Sequence, residues 1–200
     1  LEGQAVYRAA NQLLEEGWEA DCILNHVGFG NGLYLSDLFP NAKRIGLFEW
    51  YYNSRGADVD FLRGGLVEPD RAMRIRTWNA QILLELADCH VGVVPTYWQK
   101  TQFPSHLSSR LQVIHEGIDT KNLASLKTGN PPQLKCLPVD SKIEILTYVS
   151  RGFEDYRGFP QVMQTIADLQ LRRPNLHTLL VGSDVVAYGA QRNDGLTWRE

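Results

Sequence analysis

Apolar positions in the first part of the chain alternate between helical spacing and short continuous runs. Over residues 4–16 and 69–87 they recur about every three to four positions, which predicts two amphipathic helices. The short apolar runs predict strands, because runs of roughly four to eight residues are typical of buried strands. Strands are predicted at residues 20–25, 43–48, 91–94 and 111–115, and shorter helices at 30–39 and at 97–107, the latter interrupted at Pro104.

The alternation stops after the fourth predicted strand and then resumes. Residues 116–141 have little periodicity and contain several prolines, which predicts a connecting segment. After it, residues 142–149 predict a strand, residues 161–173 a helix and residues 176–181 a further strand. Strands that alternate with helices predict parallel sheets in an α/β fold. Residues 50–67 show no periodicity and predict a long surface loop, a kind of segment that often carries function.

Composition and charge narrow the class of protein. The chain is 44% hydrophobic and has a net charge of −3, which is typical of a folded soluble protein and argues against a nucleic-acid surface. No apolar run reaches the roughly 18 residues of a membrane span. The three cysteines lack any metal-ligand spacing, which favours reduced thiols, a cytoplasmic protein and no structural zinc. Because the chain starts with Leu inside a predicted helix, we expect it to be part of a longer protein.

The loop before the helix predicted at 161–173 carries the clearest candidate chemistry. Arg151 and Arg157 lie in this loop, and planar guanidinium groups bind phosphate oxygens well. The helix start is expected to add free backbone N–H groups and the positive end of its dipole. This arrangement predicts a phosphate site. The alternative is a solvated loop in which the arginines pair with Glu154 and Asp155.

Polar residues at strand ends form a second set, because ligands of open α/β sheets bind at the carboxyl ends of the strands. His26 follows the first strand and precedes Gly28 and Gly30, so it could donate a hydrogen bond or move a proton where backbone approaches a ligand closely. The alternative is a histidine that only stabilises a turn. Glu49 begins an aromatic run, residues 49–52, that suits either sugar stacking or a domain interface. The glycine spacing does not match the dinucleotide-binding fingerprint, which argues against a nicotinamide site.

Two further glycines follow predicted strands. Gly117 is interpreted as a hinge or a ligand contact, and Gly182 as a strand-end turn that either touches a ligand or serves only as a turn. No serine or cysteine nucleophile set has a recognisable motif. Hydrolysis by paired carboxylates stays open, because their separation is not visible in a sequence.

The order of these motifs resembles that of the group 1 (family 4) retaining glycosyltransferases, which have the GT-B fold of two Rossmann-like parallel-sheet domains. The resemblance rests on residues 25–30 with 48–52, residues 94–104 with 113–120, and residues 148–160 with 179–184. It implies three parts of the chain, with both domains incomplete. These are residues 1–119 as the C-terminal part of the acceptor-side domain, 120–141 as the interdomain linker, and 142–200 as the first part of the donor-binding domain.

The resemblance also implies roles for individual residues. The donor loop of the family supplies an Arg and a Lys to the diphosphate; Arg151 matches that Arg, and Arg157 with Gly158 stands where Lys-Gly is expected. The loop here has Arg in place of Lys and one extra residue between the basic positions. His26 matches a catalytic-site histidine near the reacting sugar, and Gly117 falls at the interdomain turn. The possible substrate cleft would include Gly28, Gly30, Glu49, Gly117 and Gly182.

The implied activity is that of a hexosyltransferase. Such an enzyme moves a sugar from a nucleotide-diphosphate donor, a UDP- or GDP-sugar, to the hydroxyl of a glycan or lipid-linked acceptor. The transfer retains the configuration of the sugar, and the enzyme needs neither cofactor nor metal. Peripheral membrane contact is expected only through parts outside this sequence, and no nucleic acid is expected as a partner. A glutamate motif of the family would follow residue 200, so the chain alone is expected to be inactive. The alternatives are a GT-B nucleotide-sugar epimerase and a non-catalytic module that binds sugars or nucleotides.

Overall fold

The chain folds into two compact units that both contain parallel β-sheet. The computed structural model describes residues 2–63, 67–125, 134–137 and 142–200. The units are Leu1–Asp119 and Thr120–Glu200. Their parallel strands and intervening helices confirm the predicted α/β class. The assignment of the chain to an acceptor side, a linker and a donor side stays a prediction.

The first unit is built on a four-stranded parallel sheet with the strand order β1-β2-β3-β4. Because the strands are parallel, their carboxyl ends share one edge of the sheet. The strands are β1 (Cys22–His26), β2 (Lys43–Leu47), β3 (Val91–Val94) and β4 (Leu111–Val113). The helices are α1 (Glu2–Glu15), α2 (Leu35–Leu38), α3 (Pro69–Asp88), α4 (Tyr97–Thr101) and α5 (Ser105–Ser108), and a 3-10 turn spans Phe61–Arg63.

Helix α3 closes the hydrophobic core of the first unit. The core cluster combines residues in or next to the strands and short helices with residues in or next to α3, and it consists of Val27, Phe48, Ile82, Leu86, Cys89, Val94, Phe103 and Leu111. Two polar residues, Asn79 and Glu85, are buried on the same helix. Met73 and Trp78 of α3 are exposed. The buried side of the helix is therefore not purely apolar, and its polar members need partners inside the fold.

The glycine-rich segment after β1 differs from the prediction. The helix predicted at 30–39 is wrong except for Leu35–Leu38, and turns precede it. Gly28 and Gly30 have φ angles of +117° and +77°, a region that a right-handed helix excludes. The helix predicted at 97–107 is divided into α4 and α5 by Pro104, as the proline indicated.

The segment after β2, predicted as a surface loop, is packed onto the first unit over residues 50–53. The amide of Asn79 accepts a hydrogen bond from the Tyr52 N–H at 2.9 Å and donates one to the Tyr52 carbonyl at 2.8 Å. Three consecutive aromatic rings have separate ring partners: Trp50 with Trp98, Tyr51 with Phe103, and Tyr52 with Trp78. The rings therefore fix the loop within the first unit, while sugar stacking and a domain interface both stay predictions for this aromatic run. Residues 64–66 lie outside the described residues.

The second unit contains a two-stranded parallel sheet of β5 (Glu144–Val149) and β6 (Leu176–Val181). The strands pair from Glu144 with Leu176 to Val149 with Val181. The helices are α6 (Thr120–Ser125) and α7 (Phe159–Arg172), and a 3-10 turn at Asp155–Arg157 precedes α7. Helix α6 lies within the segment predicted as a linker; it forms where that segment lacks glycine and proline. Residues 126–133 and 138–141 of the predicted linker lie outside the described residues.

The buried side of α3 can be tested by two truncations on the same helix. Ile82 is 1% exposed and Leu84 is 59% exposed. Ile82→Ala leaves a cavity in the core and should lower the free energy of unfolding by about 2–5 kcal/mol, as measured by urea denaturation. Leu84→Ala should change it by less than about 0.5 kcal/mol. Equal effects of the two substitutions would contradict the assigned orientation of the helix.

Candidate functional site

His26 and Glu49, which were predicted separately, meet at the carboxyl edge of the first sheet. The register of β1 and β2 pairs His26 with Leu47, so the chain continues from Leu47 to Glu49 beside the imidazole. Nε2 of His26 lies 2.9 Å from Oε2 of Glu49, and the two side chains are 37% and 56% exposed. We call these two residues the strand-end pair. A histidine and a carboxylate at this edge can hydrogen-bond a ligand or exchange a proton with it.

The backbone at Glu49 is fixed by helix α4. Thr96 caps this helix, because its Oγ1 accepts the Gln99 N–H at 3.1 Å. The Gln99 side chain in turn donates a hydrogen bond of 2.9 Å from Nε2 to the carbonyl of Glu49. Helix α4, which follows β3, therefore positions Glu49, which follows β2.

A buried carboxylate hydrogen-bonds Asn25, the residue that precedes His26 on β1. Glu85 of α3 is 6% exposed, and its Oε2 accepts a hydrogen bond of 2.7 Å from Nδ2 of Asn25. Burial raises the pKa of the Glu85 carboxyl, while the Asn25 hydrogen bond and the charge of His26 act in the opposite direction. Gly32 packs so closely on Asn25 that a Cβ there would overlap the amide. The position of Asn25 is thus fixed from two sides.

A surface groove of about 510 Å³ lies on the first unit between helix α3 and the segments that follow β1 and β2. Gly28 and Tyr52, which follow His26 and Glu49 in the chain, are part of its wall together with Thr77, Trp78, Ala80 and Gln81. The Gln81 side chain donates a hydrogen bond to the Gly28 carbonyl. Of the four glycines predicted for the cleft, Gly28 lines the groove and Gly30 is buried.

Arg151 and Arg157 come together in the second unit at a tyrosine ring. The Cζ atoms of Arg151 and Arg157 lie 4.6 Å and 5.7 Å from the centroid of the Tyr188 ring. Both arginines and Tyr188 are exposed. We call these three residues the arginine cluster. Guanidinium groups over an aromatic ring are held by cation–π attraction and keep their N–H groups available for an anion.

Glu154 lies beneath the arginine cluster and organises it. Its side chain is 0% exposed, and its Oε2 accepts the N–H groups of Ala187 at 2.5 Å and Tyr188 at 2.8 Å. The other oxygen, Oε1, is 3.5 Å from Nε of Arg157. The carboxylate is therefore turned into the fold and holds the segment that carries Tyr188. Among the ion pairs of the described residues, none involves Arg151.

The start of α7 offers fewer free N–H groups than predicted. The N–H of Gly158 donates to the Asp155 carbonyl at 2.9 Å, and that of Phe159 donates to the Glu154 carbonyl at 3.3 Å. Pro160 has no N–H, and Gly158 has a φ of +68° that suits the turn into the helix. An anion here would therefore depend on the guanidinium groups rather than on residues 158–160 of the backbone.

The remaining glycines of the prediction have structural contacts. A Cβ at Gly182 would overlap the carbonyl oxygen of Ser150, so this glycine allows the loops after β5 and β6 to pack together. Ser183 adds a hydrogen bond of 2.8 Å from its hydroxyl to the Arg151 carbonyl. Gly117 has a φ of +82° and donates its N–H to Nδ1 of His115 at 3.0 Å, which closes an exposed turn.

Three residues of these sites were missed in the sequence: Asn25, Glu85 and Tyr188. Glu85 carried a usable signal, because a charged residue on the buried stripe of an amphipathic helix must have a partner in the fold. Tyr188 carried none, since it lies after the last strand in a segment without periodicity. In the described part of the chain, no group of three or more His, Cys, Asp or Glu is placed to hold a metal.

Parallel α/β units with polar residues after their strands are typical of enzymes that bind ligands at that edge. The sequence profile described as the glycosyl transferase family 4 group matches residues 1–123, and the chain belongs to this family. The match contains the strand-end pair and ends before the arginine cluster. No curated protein matches the chain. Among the described residues, no helix is long and apolar enough to cross a membrane.

The role of Glu154 predicts a local change in hydrogen exchange. In Glu154→Ala the N–H groups of Ala187 and Tyr188 lose their acceptor, so their amide protons should exchange faster, as measured by NMR at neutral pH. Asp155→Ala, a change of the same kind at the next position, should leave both amides protected. Unchanged protection in Glu154→Ala would contradict the assigned contact.

The raised pKa of Glu85 predicts a pH dependence of stability. The folded state holds the Glu85 proton more tightly than the unfolded state, so the contribution of this group is complete below the ordinary value of 4.5 and decreases as pH rises through the folded pKa. Relative to Glu85→Gln, the wild-type protein should therefore lose stability as pH increases above about 4.5 in urea denaturation series. Glu16→Gln, at an exposed position directly after α1, should show no such trend. A constant difference between wild type and Glu85→Gln would contradict the assignment.

Proposed function

We propose that the protein, in its full-length form, transfers a sugar from a nucleotide-diphosphate donor to an acceptor hydroxyl with retention of configuration. Membership of the family supports glycosyl transfer in general. The observation that carries the finer proposal is the approach of Arg151 and Arg157 to one ring, within 6 Å of its centroid. The donor class is that of UDP- and GDP-sugars, whose diphosphate suits two adjacent guanidinium groups.

The two sites would have different roles in this reaction. The arginine cluster would stabilise the negative charge that develops on the leaving diphosphate, which is electrostatic stabilisation by groups already in position. His26 would hydrogen-bond the reacting sugar at the edge of the first sheet. The groove beside Gly28 would receive the acceptor, a glycan or a lipid-linked sugar, and its exposed Trp78 ring suits stacking on a pyranose.

A nucleotide-sugar epimerase is the second candidate, and the strand-end pair is the observation in its favour. Glu49 places an exposed carboxylate 2.9 Å from a histidine at a strand end, and epimerisation requires such proton-transfer groups near the anomeric centre. Release of free nucleotide without sugar transfer would favour this candidate. Formation of a glycosylated acceptor would favour the transferase.

The donor site is tested by binding of UDP and GDP in isothermal titration calorimetry. A hydrogen bond to a charged group contributes about 1.5–3 kcal/mol, so Arg151→Ala should weaken binding of the better nucleotide by roughly 10- to 100-fold. Arg157→Ala should also weaken it. The matched control is Arg172→Ala, which removes an exposed arginine at the end of α7 and should leave binding unchanged.

The same variants of the full-length protein should lose transferase activity in parallel with nucleotide affinity. The activity is measured as the initial rate of sugar transfer at saturating acceptor. If Arg151→Ala retained both its affinity for the nucleotide and its rate, the assignment of the diphosphate to this loop would be wrong.

A further inference from the structure

Tyr188 carries an exposed ring on a firmly held backbone. The residue is 54% exposed, yet Oε2 of the buried Glu154 accepts its N–H at 2.8 Å and the N–H of Ala187 at 2.5 Å. The next residue, Gly189, has a φ of +94°, and a Cβ there would overlap the ring of Tyr156. The backbone is therefore fixed on both sides of Tyr188, although more than half of the residue faces solvent.

Arg151 and Arg157 are fixed at the backbone, but their side chains extend into solvent. The carbonyl of Arg151 accepts the Ser183 hydroxyl at 2.8 Å, and the carbonyl of Arg157 accepts the Tyr148 hydroxyl at 3.2 Å. Both arginines are exposed beyond these anchors. Long side chains of like charge repel each other and adopt many rotamers unless a contact holds them. The guanidinium groups therefore need a support of their own.

The Tyr188 ring is the contact that the two guanidinium groups share. Their Cζ atoms lie 4.6 Å and 5.7 Å from its centroid, within the roughly 6 Å over which an aromatic face attracts a cation. Nε of Arg157 also lies 3.5 Å from the Glu154 carboxylate, whereas the ion pairs of the described residues do not include Arg151. Arg151 therefore depends more on the ring than Arg157 does.

We propose that Tyr188 is a positioning residue, whose ring holds the guanidinium groups of Arg151 and Arg157 in place before a diphosphate binds. This inference rests on the proposed function and deepens it. The ring acts through the arginines and does not touch the reacting atoms. Groups that are ordered in advance do not lose freedom on binding, and they stabilise developing charge without reorganisation.

The ring and not the hydroxyl of Tyr188 carries this role, because the attraction comes from the aromatic face. Tyr188→Phe keeps the face, so it should behave like the wild type. Tyr188→Leu removes the face and keeps an apolar side chain. Because the residue is more than half exposed, we expect both variants to fold.

The support of the arginines can be measured without any ligand. In ¹H–¹⁵N spectra at mildly acidic pH, the two Nε–H signals are assigned by their loss in Arg151→Ala and Arg157→Ala. Both signals should show a ring-current shift and a high ¹H–¹⁵N NOE in the wild type and in Tyr188→Phe. In Tyr188→Leu the shift should disappear and the NOE should fall. Tyr97→Leu, which removes an exposed ring of the first unit, should leave both signals unchanged.

Inorganic pyrophosphate separates support of the arginines from contact with a nucleobase, because it has the diphosphate charge and no nucleoside. Ordering one long side chain on binding lowers affinity by roughly 2- to 12-fold. Tyr188→Leu should therefore weaken binding of pyrophosphate and of the better nucleotide, UDP or GDP, by the same factor of roughly 5 or more in calorimetry. On the Arg151→Ala background the effect should be smaller, since the ring then supports one guanidinium group.

Three results would overturn the proposal. The first is a set of arginine signals in Tyr188→Leu that equals the wild type, and the second is a Tyr188→Phe variant that behaves like Tyr188→Leu. The third is weaker nucleotide binding in Tyr188→Leu with pyrophosphate binding unchanged, which would make the ring a contact of the base.

These outcomes are distinguishable from a failure of the proposed function. A wild-type protein that bound neither pyrophosphate nor a nucleotide would contradict the diphosphate site, and the ligand-free spectra would still show whether the ring holds the arginines. Nucleotide binding that depends on Arg151 and Arg157 but not on the ring would reject only the role of Tyr188.

Discussion

A carboxylate removed from water must accept hydrogen bonds or become neutral, and each unit of this protein buries such a group. In the second unit, Oε2 of Glu154 accepts two backbone N–H groups and thereby holds Tyr188 where Arg151 and Arg157 can reach the ring. In the first unit, Oε2 of Glu85 accepts a hydrogen bond from Asn25. The first carboxylate fixes an exposed cationic surface, and the second fixes the side chain that precedes His26 on β1.

The parallel strands determine where this chemistry is presented. In the first unit the register of β1 and β2 brings His26 and Glu49 to the same edge, and the cap of α4 fixes the backbone at Glu49. In the second unit the loops after β5 and β6 pack through Gly182, which allows residues of both loops to meet. Each unit therefore exposes its polar groups where parallel strands end, which is the place where α/β enzymes bind their ligands.

Periodicity in the sequence was sufficient to predict most strands and the long helices, because these elements bury apolar faces that follow a regular spacing. The same spacing could not predict that turns would replace the first part of the helix predicted at 30–39, since this depends on backbone φ angles such as that of Gly30. The prediction of Arg151 and Arg157 as one site identified residues that do meet, although Tyr188, which joins them, has no local signal. In the alternative interpretation, Glu154 and Asp155 pair with these arginines. Glu154 does lie 3.5 Å from Arg157, but it mainly accepts backbone N–H groups, a role that only the three-dimensional packing of residues 187 and 188 defines.

The central claim is that the arginine cluster holds the diphosphate of a nucleotide donor. It is tested most directly by adding UDP or GDP to ¹⁵N-labelled protein and following the side-chain Nε–H signals of both arginines together with the backbone amides. The account predicts that the largest shift changes fall on Arg151, Arg157 and residues 183–188, because these groups surround the proposed site. Saturable binding with its largest changes elsewhere, and with both arginine signals unmoved, would contradict it.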